Sequence, residues 1–123
     1  MKYLMLIYGN ERIWNSLAPA DLAQLIRGVD AFNADLKETG ELVGVEGLVP
    51  EATSIRLVDG VPVITDGPYI EAKEFVGSYF VVDVQSKQRA LEIARSYPGL
   101  SFEPGAAGGL EMWPLMSHGG SDL

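Results

Sequence analysis

The chain has 123 residues, 47% of them hydrophobic and 21% charged, and 17 acids against 9 bases give a formal charge of −8. That length suits one globular domain, and the composition is neither disordered nor fibrous. The acidic balance argues against nucleic-acid and anionic-membrane surfaces, and the absence of cysteine removes disulfides, thiolate chemistry and cysteine metal sites.

Residues 3–8, YLMLIY, are apolar at every position, which predicts a strand covered on both faces. The apolar run before Gly9 is too short for a signal peptide or for a membrane span of about 20 residues. A cytoplasmic protein is therefore expected. Residues 16–40 take helical spacing: Leu22, Leu25, Ile26, Val29, Phe32 and Leu36 form one apolar stripe. Pro19 suits the first turn, Asp21 complements the N-terminal dipole, and Gly40 is a natural stop. Ala18 makes a weak N-cap.

Residues 41–49, ELVGVEGLV, carry two glycines that disfavour helix, so a strand is expected. Ser54–Val58 and Val61–Thr65 flank Asp59-Gly60, a strong hairpin signal. A charged stretch then leads into a strand over Val76–Val84. Residues 86–97 read as a helix capped by Ser86, with Ala90, Leu91, Ile93, Ala94 and Tyr97 in its stripe and Pro98-Gly99 at its end. Gly109–Leu115 offers a last strand. Residues 117–123, SHGGSDL, read as a disordered tail behind a single domain over residues 1–116.

The order is β-α-β-hairpin-β-α-β, a ferredoxin-like α+β sandwich with an inserted hairpin. Helices of such a fold cover one face of the sheet, yet Tyr3–Tyr8 and Tyr79–Val84 are apolar on both. A second copy is the expected cover, giving a homodimer with sheets packed face to face.

The charged stretch, 66-DGPYIEAKE-74, has two readings. As a turn, Asp66 bonds the backbone two residues on, and Gly67 and Pro68 end the strand. As a site, a partly desolvated Asp66 at a strand end, close to Lys73, moves protons. Tyr8, Trp14, Tyr69 and Tyr79 are aromatic residues suited to lining such a pocket.

Asp66-Gly67-Pro68-Tyr69, then Glu71-Ala72-Lys73-Glu74 and Val76-Gly77-Ser78-Tyr79-Phe80, resembles the signature of DGPF-domain proteins, a branch of the YCII-related family. Met1–Tyr8 and Trp14 also resemble that family's first strand and loop. The resemblance covers residues 1–115. It implies a dimeric α/β barrel built on the ferredoxin-like fold, in bacterial proteins often encoded near sigma factors. Two places depart from the pattern. Other members carry a histidine just after a proline early in the first helix and pair it with an aspartate; in Pro19-Ala20-Asp21-Leu22, Asp21 stands there instead. The last strand reads Glu111-Met112-Trp113-Pro114, without the family's usual arginine. The His–Asp mechanism therefore does not carry over.

His118, the one histidine, lies in the Gly/Ser tail and is read as a solvated bystander. No metal or other cofactor is expected. The run Pro104–Gly109 lacks a P-loop lysine and reads as a flexible connection. Trp113 and Trp14 suit packing better than a pocket wall. Ser16, Ser54 and Ser78 have no base in view.

The functional expectation is a cofactor-independent acid–base enzyme acting on a small organic molecule. Asp66 is its proton-transfer group, and Lys73 tunes that group or holds an anionic substrate. Tyr8, Trp14 and Tyr69 shape the pocket and Glu74 borders it, with Glu71 further out. The alternative is a non-catalytic dimeric ligand-binding or regulatory-interaction domain. In a third reading Asp66 is only a structural turn.

Overall fold

The computed structural model describes residues 1–9, 15–68, 75–101 and 107–116. In chain order the elements are β1 (Lys2–Gly9), α1 (Pro19–Glu38), β2 (Leu42–Gly47), β3 (Thr53–Val58), β4 (Val61–Asp66), β5 (Phe75–Asp83), α2 (Lys87–Arg95), the single turn α3 (Pro98–Ser101) and β6 (Ala107–Pro114). Four strands form one antiparallel sheet in the order β2-β5-β1-β6, and β3 and β4 pair only with each other. This is the ferredoxin-like βαββαβ arrangement, with the hairpin inserted between β2 and β5. One chain leaves the sheet open, and no closed barrel forms among the described residues.

Local chemistry sets the boundaries. Pro19 opens α1, and Ala18 contributes no side-chain cap. At the other end Gly40 takes φ +80°, Gly40 N–H reaches the Lys37 carbonyl and Glu41 N–H the Leu36 carbonyl, which satisfies the last free carbonyls. Ser86 caps α2 by accepting from Arg89 N–H at 3.1 Å. Asp59 (φ 52°) and Gly60 (φ 79°) are both left-handed, the primed turn that an Asp-Gly hairpin requires.

Two boundaries differ from the expectation. Pro98 opens the turn α3, since proline lacks only an N–H that a first turn leaves free. Ala107–Gly109 belong to β6, where Gly109 pairs with Tyr8 and Ala107 with Gly9 across a register shift. Small residues thus join the ladder as well as connecting to it.

The core lies between the sheet and the helices. Tyr3, Met5 and Ile7 of β1 and Phe80 and Val82 of β5 meet Leu36 of α1 and Ala90, Ile93 and Ala94 of α2. Phe32 and Tyr97 meet edge to face at 5.5 Å, and Tyr97 stacks on Phe80 at 5.9 Å. At the rim Arg89 grips Glu41 through Nε (2.8 Å) and Nη2 (2.7 Å), which ties α2 to the chain entering β2. That guanidinium holds the Glu41 carboxyl below the usual carboxylate range. No helix among the described residues is long and apolar enough to cross a membrane.

The expectation that both sheet faces are covered holds for one face in the single chain. Tyr3, Met5 and Ile7 are buried, while Leu4, Leu6 and Tyr8 are half-buried on the other side. Register places Leu4 between Val81 and Trp113, and Leu6 between Tyr79 and Glu111. Trp113 is 53% exposed.

Candidate functional site

Where the sheet's helix-covered face runs past the start of α1, a cavity of about 490 Å³ opens. The cause is local. β1 ends at Gly9, β5 begins at Phe75, and α1 crosses above them with its first turns. Side chains from both layers line the gap without closing it. Ile7, Leu25, Val29 and Phe75 form apolar walls, and Leu48 and Pro50, beyond β2, form one side. The size falls within the roughly 300–1,000 Å³ of small-molecule pockets.

Its polar groups are few. The side chains of Ser78, on β5, and Tyr97, after α2, both line it. Ser78 takes the core-facing parity of β5 that Phe80 and Val82 also take. Burial pushes the Tyr97 phenol up, and the Ser78 hydroxyl beside it partly offsets this, so the phenol is a neutral hydrogen-bond donor across the physiological range. Asn15 and Asp30 are exposed residues of the lining, and Asp30 supplies the one charged side chain among the described residues there.

Tyr8 belongs to this lining and also to a more open depression on the other sheet face, with Gly108, Gly109, Leu110 and Glu111. Its hydroxyl donates to Glu111 Oε1 at 2.7 Å, and Trp113 Nε1–H donates to the same oxygen at 3.3 Å. The bond to Glu111 pushes the Tyr8 phenol up, with burial and the nearby negative charge adding to it.

Asp66 ends β4 opposite Thr53 and is exposed. The turn beside it is fastened by its neighbours: Gly67 N–H reaches the Ala52 carbonyl at 2.8 Å, and Ser54 Oγ donates to the Gly67 carbonyl at 2.6 Å. Among the described residues no side chain bonds the Asp66 carboxylate, and Asp66 is not part of the cavity lining. Of the expected site, then, the structure places Tyr8 at the cavity and Asp66 at the hairpin base. Trp14, Tyr69, Glu71, Lys73 and Glu74 lie outside the described residues, as do His118 and the tail.

Ser78 and Tyr97 are the residues that sequence reasoning passed over, one as a nucleophile without a base and the other as part of a helix stripe. A signal was present. Ser78 is polar at a position whose parity along β5 is otherwise apolar. Among the described residues no three or more His, Cys, Asp or Glu side chains gather as metal ligands.

A family model for the YCII-related domain matches residues 1–106. An uncharacterized protein of Rhizobium meliloti (strain 1021) is 29% identical over 125 residues, spanning 100% of this chain and 98% of that one. Among solved structures, the 5-chloro-2-hydroxyhydroquinone dehydrochlorinase of Burkholderia phenoliruptrix AC1100, in complex with 2,5-dihydroxybenzoquinone, aligns over 97% of this chain and 96% of its own. Its TM-score is 0.49 at 14% identity. At that level of likeness the fold of this chain stands on its own strand order.

Proposed function

This chain belongs to the YCII-related domain family, and from that premise we propose that it is a homodimer binding a small organic molecule in the cavity beneath α1. One observation carries the reading: an apolar-walled space of about 490 Å³ with the buried Tyr97 and, beside its phenol, the half-buried Ser78 in its lining. Such a site gives affinity through burial and orientation through a few polar groups. The homodimer uses the open sheet face, where Leu4, Leu6, Val81 and Trp113 would otherwise leave a contiguous apolar patch in water. A cytoplasmic location is part of the proposal, on the acidic, cysteine-free composition.

In the catalytic form of this reading, Asp66 is the proton-transfer group of a cofactor-independent isomerase, lyase or hydrolase-like step, assisted by Lys73. Chain continuity supports it, since Asp66 and the cavity residue Phe75 bracket that one segment. In the second form the domain binds without turnover. The exposure of Asp66 and its place outside the cavity lining favour this form.

The test is a titration with the neutral fluorophore N-phenyl-1-naphthylamine, whose emission rises on entering an apolar site. Wild type is expected to bind it, and Leu48→Trp, which fills the cavity from its exposed side, to weaken it. Equal binding by both would remove the cavity as the site. Asp66→Asn is expected to bind the fluorophore like wild type; if it does and turnover of any identified substrate also survives, the binding-only form stands.

A further inference from the structure

We propose that Tyr97 and Ser78 select the cavity's ligand: the site takes an apolar molecule carrying a carbonyl oxygen, with that oxygen innermost and received by these two hydroxyls. The inference deepens the cavity reading and rests on it.

The lining is graded in depth. Asn15, Asp30, Leu48 and Pro50 are exposed and form the mouth, whereas Ile7, Leu25 and Tyr97 are buried and form the inner end. Polar side chains at a mouth are served by water. A phenol set beside Ile7 and Leu25 is in a different position, because a polar group taken from water is costly unless it is hydrogen-bonded.

The phenol is also fixed in place. Its ring stacks on Phe80 at 5.9 Å and meets Phe32 edge to face at 5.5 Å. Packing of that kind locks a rotamer, so the oxygen is positioned before any ligand arrives. Ser78 stands beside it on β5, on the core-facing parity shared with Phe80 and Val82. Two neighbouring hydroxyls share one hydrogen bond at a time, so one of their two hydrogens is left over whichever of them donates. Among the described residues no carbonyl or carboxylate takes it. When Ser78 donates to the phenol oxygen, the phenol hydrogen remains for the cavity and is polarised by the bond behind it.

That hydrogen sets the specificity. A carbonyl oxygen brings lone pairs and no hydrogen of its own to place. A ligand of the same shape without the oxygen expels the water that would serve the hydroxyl and puts nothing in its stead, which lowers affinity.

The experiment displaces N-phenyl-1-naphthylamine at pH 7 with two competitors of one shape, 2-acetonaphthone and 2-isopropenylnaphthalene, which differ in C=O against C=CH2. The alkene is the more hydrophobic, so burial alone ranks it first. The ketone is expected to bind wild type at least as tightly. Tyr97→Phe combined with Ser78→Ala removes both hydroxyls and keeps the aromatic ring. It should weaken the ketone about tenfold and leave the alkene's affinity unchanged or raised, which also reports that the cavity survives. Tyr97→Phe alone should give most of that loss. The bound ketone's carbonyl ¹³C resonance should lie further downfield in wild type than in the double variant. A ketone-to-alkene affinity ratio unmoved by the double variant, or an equal loss of both ligands, would overturn the inference while leaving the cavity as a binding site. Failure of the fluorophore to bind wild type, or binding that Leu48→Trp leaves intact, would remove the cavity reading and the inference with it.

Discussion

β1 and β4 have nearly the same apolar character, LMLIY against VPVIT, and opposite fates. In β1 every second residue from Tyr3 is buried, whereas all six residues of β4 are exposed. β1 is flanked by β5 and β6 and backed by helices; β4 has β3 as its single neighbour and contributes nothing to the core. Ile55, Leu57 and Ile64 accordingly stand 63%, 70% and 67% exposed. Apolarity makes both segments strands, but burial is decided by what lies above and beside them.

The contrast breaks or holds on substitution. Phe80→Ala removes a side chain 2% exposed that contacts Phe32 and Tyr97. It is expected to cost about 3–5 kcal/mol in chemical denaturation. Arg89→Ala should cost roughly 1–2 kcal/mol, a modest figure because the guanidinium is partly exposed. Its pH dependence has a definite sign. The folded Glu41 carboxyl lies below its unfolded value, so the pair's contribution is present above the unfolded value and fades as pH falls through the folded one. Wild type and Arg89→Ala should therefore converge in stability in acid, which a denaturation series from pH 7 to pH 2 would read.

Smaller effects belong to the hairpin. Gly60→Ala puts a Cβ on a left-handed residue and should cost about 1 kcal/mol, or less if the hairpin unfolds apart from the body. Leu57→Ser and Ile64→Ser should each change stability by no more than about 0.5 kcal/mol in the monomer. A loss well beyond that, growing with protein concentration, would mean that another copy covers the hairpin. Asp66→Asn should have the smallest effect, within about 0.5 kcal/mol, because the adjacent turn is fastened by Gly67 and Ser54. A larger loss would restore Asp66 as the structural pin of that turn.

Much of the fold is legible in the sequence because its signals are local. Pro19 and Gly40 bracket α1, Ser86 opens α2, and Asp59-Gly60 dictates a primed turn whatever surrounds it. The order of elements then leaves few ways to arrange four strands and two helices. The cavity is harder to see. Ile7, Val29, Leu48, Phe75 and Tyr97 come from five separate places in the chain, and each taken alone is an ordinary apolar or aromatic residue. A void is a failure of neighbours to meet, and no spacing encodes that. The charged segment after Asp66 drew attention because charge is visible in one dimension. The Ser78–Tyr97 hydroxyls, nineteen residues apart, become one feature only when α2 folds back over β5.

The most direct measurement is a two-dimensional ¹H–¹⁵N map of the protein titrated with N-phenyl-1-naphthylamine. The account predicts shifts concentrated at Ile7, Leu25, Val29, Leu48, Gly77 and Tyr97, with the hairpin unmoved. Shifts confined to Ile55, Leu57 and Ile64, or to Leu4, Val81 and Trp113 on the open sheet face, with the cavity residues silent, would contradict it.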